Sequence, residues 1–275
     1  MLNKKPWKLW EAILLVSPFI LSIGFAQLAA SRAPTTGAPA EFSMGLFLLN
    51  SAIFVAYAAC ATGILMSKYE LNINDVFGFK TGPSIELLPI AFIIGFAIVP
   101  LMLILQSLNI SILEWLSNLL MNALLTNDMV QMLLQWLGIS TENIMDWLKN
   151  PIEAQQSIKF LKSMDTPTEI AVFSIMPVLQ APLVEEILFR GILFPAMRFT
   201  IPRWLAYLIP ALLFAGVHLS LLNLVPLFVL ALFFAWQYEK TGNLLCPILT
   251  HAGFNLCNIL IATGVIPLQN LFPES

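Results

Sequence analysis

Seven apolar stretches, each about as long as a membrane crossing, constrain this chain more than anything else in it. They run near residues 10–30, 44–67, 84–107, 168–199, 203–220, 222–238 and 243–265. A helix needs about 20 mostly apolar residues to span the hydrocarbon core. No stretch alternates polar and apolar residues as a strand does. The predicted fold is therefore all-α: a polytopic transmembrane helical bundle of seven or eight spans, with interfacial amphipathic helices. Charge agrees, because Asp, Glu, Lys and Arg make up only 11% of the chain, against about 25% in soluble domains.

The first stretch has a second reading as a signal peptide, since Lys4 and Lys5 precede it and AQLAAS resembles a cleavage site. Glu11 near its start, and its length, favour a retained helix. Residues 108–167 differ from the rest. In ISILEWLSNLLMNALL, Ser111, Glu114, Asn118 and Asn122 recur at helical spacing, and Asp128, Gln131 and Gln135 do so in the next segment. Such a stripe suits a helix lying in the interface, or one packed with its polar side inward. Trp115, Trp136 and Trp147 suit interfacial depth, and Asn150-Pro151 and Thr166-Pro167 mark breaks. The expected division is N-terminal transmembrane helices over 1–107, an amphipathic insert over 108–167 and a transmembrane core over 168–265, with 110–126 as the candidate eighth span.

Basic residues favour seven. With seven spans, Lys4, Lys5, Lys8, Lys68, Lys80, Arg190, Arg198, Arg203 and Lys240 share one side, against Arg32 on the other. By the positive-inside rule the N-terminus is cytoplasmic, in an integral protein of the plasma (inner) membrane. A net charge of −3 without a basic patch argues against nucleic acid as a partner. Cys60, Cys246 and Cys257 fit no zinc or disulfide spacing and read as small hydrophobes.

Against this background VEEILFRG stands out, because it sets Glu185, Glu186 and Arg190 in an apolar run. A charge at the bilayer centre costs about 2.5–3.5 kcal/mol on insertion scales, so such groups are usually paired or functional. Glu186 and Arg190 are four apart and can pair along one face. Glu185, about 100° away around the helix, has no local partner. FAGVH places Phe214 and His218 on one face, and HAGFN does the same for His251 and Asn255; the chain has no other histidines. If 180–199 and 203–220 form a hairpin, the midpoint of 185 and 218 falls between Ile201 and Pro202. Both side chains then lie roughly 20 Å beyond the turn. Further turns near 221 and 241 bring 257 to that level, with Asn255 within one helical turn of it and His251 within two. Glu185, His218, His251 and Asn255 are thus expected to converge at one depth.

The order E-E-x-x-x-R, F-x-x-x-H, H-x-x-x-N, with its flanks EEILFRG, LLFAGVH and YEKTGNLLCPILTHAGFN, resembles the CPBP (Abi) family of intramembrane proteases over about 180–258. That family includes the type II CAAX prenyl endopeptidases of the Ras-converting-enzyme kind. The resemblance implies a membrane-embedded endopeptidase acting on membrane-associated substrates, including prenylated CAAX-type tails. It assigns Glu185 with His218 to activating water, and His251 with Asn255 to polarising the carbonyl and holding the oxyanion. Glu186, Arg190 and Phe214 become structural support. Two versions stay open at this point: a metal-free glutamate mechanism with no cofactor, or one zinc ion on Glu185, His218 and His251. The competing classes are a proton-coupled transporter, which would also keep Glu and His in the membrane, and a non-catalytic immunity or scaffold factor of the same family. A transporter usually shows two related halves, and this chain shows none.

Overall fold

The computed structural model describes residues 2–31, 44–79, 86–136, 140, 161, 164 and 166–267. All regular structure among them is helical. In chain order these are α1 (Leu9–Ser31), α2 (Met44–Tyr69), the short α3 (Ile73–Phe77), α4 (Leu87–Thr126), α5 (Asp128–Trp136), α6 (Pro167–Arg198), α7 (Arg203–Val217), α8 (Leu224–Thr241) and α9 (Leu245–Ala262). Among the described residues four segments are long and apolar enough to cross a membrane: Leu48–Tyr69, Leu87–Leu120, Pro167–Arg198 and Leu245–Ala262. Leu9–Ile23 and Arg203–Val217 are shorter apolar helices, and α8 ends in the polar run Tyr238-Glu239-Lys240. Large hydrophobics such as Phe25, Ile93 and Leu212 face outward, which suits a lipid-facing surface.

Helix α6 is the central element, touching α1, α2, α3, α7, α8 and α9. Its middle is sealed: Leu188, Phe189, Ile192 and Phe194 are fully buried. It begins with a capping box, in which the Thr166 side chain accepts from the Glu169 amide and the Glu169 carboxylate accepts from the Thr166 amide, with Pro167 in the first turn. It is not uniform. Met176–Gln180 and Ile187–Leu193 are π-helical, on either side of Ala181–Glu186. Wide turns of this kind are rare and are often found at functional sites. The expected turns fall at 199–202, at 218–223 and at 242–244, where Gly242 adopts φ 67° as the cap of α8.

The departure from expectation concerns α4, whereas α1 is retained in the bundle as expected. Helix α4 runs unbroken for 40 residues, through the boundary expected at 107 and through the candidate eighth span. Past Pro100 it contains no glycine or proline, and its polar residues keep the helical period instead of interrupting it. At 1.5 Å per residue it is about 60 Å long, roughly twice the hydrocarbon core, so its far end leaves the membrane or lies along it. Ser111, Glu114 and Asn118 are exposed there and do not pack inward. The inward polar residues are Gln106 and Asn109, one turn earlier. Trp115 and, in α5, Met129, Met132 and Trp136 are also exposed; Trp147 and most of the insert beyond 136 lie outside the described residues. Helix α1 is built into the bundle. Ala12, Val16 and Phe19 are buried, and Trp7 just ahead of it donates its indole N–H to the Ile192 carbonyl (3.0 Å) in the second π-segment.

Helices α4 and α9 meet backbone to backbone. A Cβ on Gly95 would lie 2.2 Å from the Thr250 carbonyl, and one on Gly253 would lie 2.3 Å from that of Phe92. Only glycine fits at either place.

Candidate active site

The site grows from Phe214, a fully buried ring on α7. Its centroid lies 5.0 Å from His218, 6.0 Å from His251 and 5.4 Å from Phe189. The Arg190 guanidinium sits 4.5 Å from the same ring and 5.2 Å from Phe234. Two helices, α6 and α9, and the end of a third, α7, thus deliver charged and titratable groups to one aromatic centre. A desolvated guanidinium is favoured over ring faces, and Arg190 also donates to the Ala231 carbonyl of α8 (3.1 Å).

Glu186 and Arg190 pair as their spacing implies, Nη1 to Oε1 at 2.9 Å, with the two side chains 0% and 2% exposed. Residue spacing carries no sign of the next contact. His251 Nδ1 lies 3.1 Å from the same Glu186 Oε1, and its ring stacks on Phe234 at 5.0 Å. Glu186 therefore joins α6 to α9 as well as fixing its own helix. Arg190 holds Glu186 as a carboxylate, and a carboxylate only accepts, so His251 Nδ1 carries a proton. Glu186 Oε2 is buried without a hydrogen-bond partner.

His218 closes α7. Its backbone N–H bonds Gly216 and not Phe214, which leaves the Phe214 carbonyl for the side chain: Nδ1 lies 2.7 Å from it. A carbonyl cannot donate, so Nδ1 bears the hydrogen and Nε2 keeps its lone pair. Asn255, one turn beyond His251, donates to the Pro177 carbonyl (2.6 Å) in the first π-segment. One of its two N–H groups stays available. Glu185 follows Val184 into the same region, near enough for its charge to act on His251 and Arg190. Its Oε2 is buried with no hydrogen-bond partner. No direct hydrogen bond links Glu185 to His218 among the described residues.

Among the described residues no three His, Cys, Asp or Glu side chains, Glu185, His218 and His251 included, come together as a group that could hold zinc. The Nδ1 of His218 and of His251 each has a protein partner, which leaves Nε2 as the open nitrogen of either ring.

Residues 167–257 match the family model described as Type II CAAX prenyl endopeptidase Rce1-like. A 76-residue stretch is 41% identical to an uncharacterized 24.3 kDa protein of Escherichia coli, covering 26% of this chain and 35% of that protein. The chain thus spans about a third of the length of this relative. No solved structure matches it. Every residue of the cluster around Phe214 falls inside the matched segment, so the part of the chain that builds the site is the part that matches this family model.

Proposed function

We propose that this protein is an intramembrane endopeptidase that cuts membrane-associated, CAAX-type prenylated substrates by water activated without a metal. The observation that carries this reading is the pair of adjacent glutamates in two different states. Glu186 is committed to Arg190 and His251, while Glu185 next to it offers a buried carboxylate oxygen with no partner. A buried unpaired acceptor calls for a donor, and water is one.

The tautomers assign the rest. Glu185 takes a proton from water, with the lone pair on His218 Nε2 as the second acceptor, and the water oxygen attacks the scissile carbonyl. The oxyanion that forms accepts from His251 Nε2–H and from the free N–H of Asn255. His251 can donate there only as the imidazolium, because its Nδ1–H is already given to Glu186; the buried Glu186 carboxylate stabilises that cation. When the intermediate collapses, the C–N bond breaks and the proton held by Glu185 passes to the leaving amine. Preorganised donors of this kind contribute about 10²–10³-fold each. The family match and the apolar helices support an integral membrane protease; a span count of seven and a cytoplasmic N-terminus remain part of this proposal.

The test is cleavage of a farnesylated CAAX peptide by the full chain in proteoliposomes. Glu185→Gln keeps the shape and removes the base, so cleavage should fall by about 10²–10⁴-fold while folded yield stays the same. Full activity after exhaustive chelation is expected; activity lost on chelation and restored by zinc would overturn the metal-free mechanism. Unchanged cleavage by Glu185→Gln would overturn the assignment of the base.

A further inference from the structure

We propose that Asn109 of α4 is a positioning residue for His218, clamping the loop on which that histidine is mounted. The inference rests on the peptidase reading above but is tested without it. His218 caps the C-terminal end of α7, and the next five residues leave the helix before α8 starts. Leu219 adopts φ 44°, in the left-handed region that a leucine avoids. Such a conformation persists only where the surroundings over-determine it.

Helix α4 supplies that determination. The side-chain amide of Asn109 donates to two successive carbonyls, Leu221 at 2.6 Å and Leu222 at 2.9 Å. One turn earlier on the same face, Gln106 donates to the Asn223 side-chain oxygen at 3.2 Å, and Asn223 donates in turn to the Ser220 hydroxyl at 2.9 Å. Asn109 is 6% exposed, so its amide has no water to turn to. The match is specific: two donors on one short side chain meet two acceptors. Leucine has neither donor, aspartate has none when ionised, and serine has one.

The same helix is locked to α9 where Gly95 meets Gly253, two residues past His251. Asn109 lies 14 positions beyond Gly95, about 21 Å along the same continuous helix. Helix α4 therefore spaces the His218 loop from the His251 helix, although it contributes no group to the chemistry.

The experiment uses the full chain in lipid nanodiscs with ¹⁵N-labelled histidine. The chain holds two histidines, so its spectrum resolves His218 from His251, assigned by single His→Gln variants. Asn109→Leu should shift or broaden the His218 signals while those of His251 stay in place. In the farnesylated-peptide assay it should lower kcat at least tenfold with KM within twofold. Gln106→Leu removes only the outer, half-buried link and should show a smaller effect of the same kind, which decides the matter if Asn109→Leu fails to fold. His218 signals unchanged in the folded variants would overturn the proposal, and so would equal disturbance of both histidines. If the wild-type protein cuts no peptide, the peptidase reading fails and the histidine spectra still decide whether the clamp exists.

Discussion

Among the described residues Glu11 and Glu186 are the buried glutamates, and they are paired in opposite ways. Glu11 of α1 has every oxygen occupied. Oε1 meets Lys68, and Oε2 accepts from the Tyr69 hydroxyl (2.6 Å) and the Lys8 amide (2.6 Å). Its cation is half in solvent, with the Lys68 side chain 51% exposed, and sits near the rings of Trp10 and Tyr69. Glu186 of α6 is sealed together with its cation, keeps one oxygen without a partner, and shares the other between an arginine and a histidine. A carboxylate fully satisfied at the water boundary holds two helices together. A carboxylate under-satisfied in a dry core, next to a group that can take up a proton, is built for chemistry.

The strongest way to break this contrast is to remove the permanent cation of the sealed pair. Arg190→Met leaves a buried carboxylate uncompensated, and breaking such a pair costs about 3–5 kcal/mol. Folded yield should collapse together with cleavage, measured by detergent-resistant monomer after purification. Intact yield with lost cleavage would move Arg190 into direct contact with substrate. Next in size is Glu186→Gln, which keeps the volume and removes the charge facing His251. The protein should fold, and kcat should fall about 10²-fold, with the His251 signals moving in a labelled-histidine spectrum. Unchanged kcat would reduce Glu186 to a packing residue. The smallest effect belongs to Lys68→Met. A surface-exposed cation contributes little, so Tm and cleavage rate should stay at wild-type values; a loss comparable to that of Arg190→Met would erase the distinction between the two glutamates.

Much of this organisation was readable in the sequence because it follows simple periods. Apolar length marked the helices, and the hairpin sum placed the turn at Ile201-Pro202, inside the observed 199–202. The i,i+4 rule found the Glu186–Arg190 pair. What escaped depends on geometry that no period records. The π-segments change which faces of α6 point together, so counting at 3.6 residues per turn could not show that Glu186, and not only its neighbour, reaches across to α9. Asn109 and Gln106 lie before a more conspicuous polar stripe, Ser111 to Asn122, that turned out to be exposed. The contact between Gly95 and Gly253 joins residues 158 positions apart by sequence number. Nothing local to either glycine announces it.

The hydrogen bond from His251 to Glu186 joins positions 65 residues apart, and this sets the order of events during synthesis. When α6 enters the membrane, Glu186 has Arg190 but lacks the imidazole, and the Pro177 carbonyl lacks its amide. Both arrive with α9, whose glycine seam on α4 fixes its place. On the proposed mechanism, a nascent chain that has not yet inserted α9 carries the first two motifs but lacks both oxyanion donors, His251 and Asn255, so the insertion of that helix completes the site.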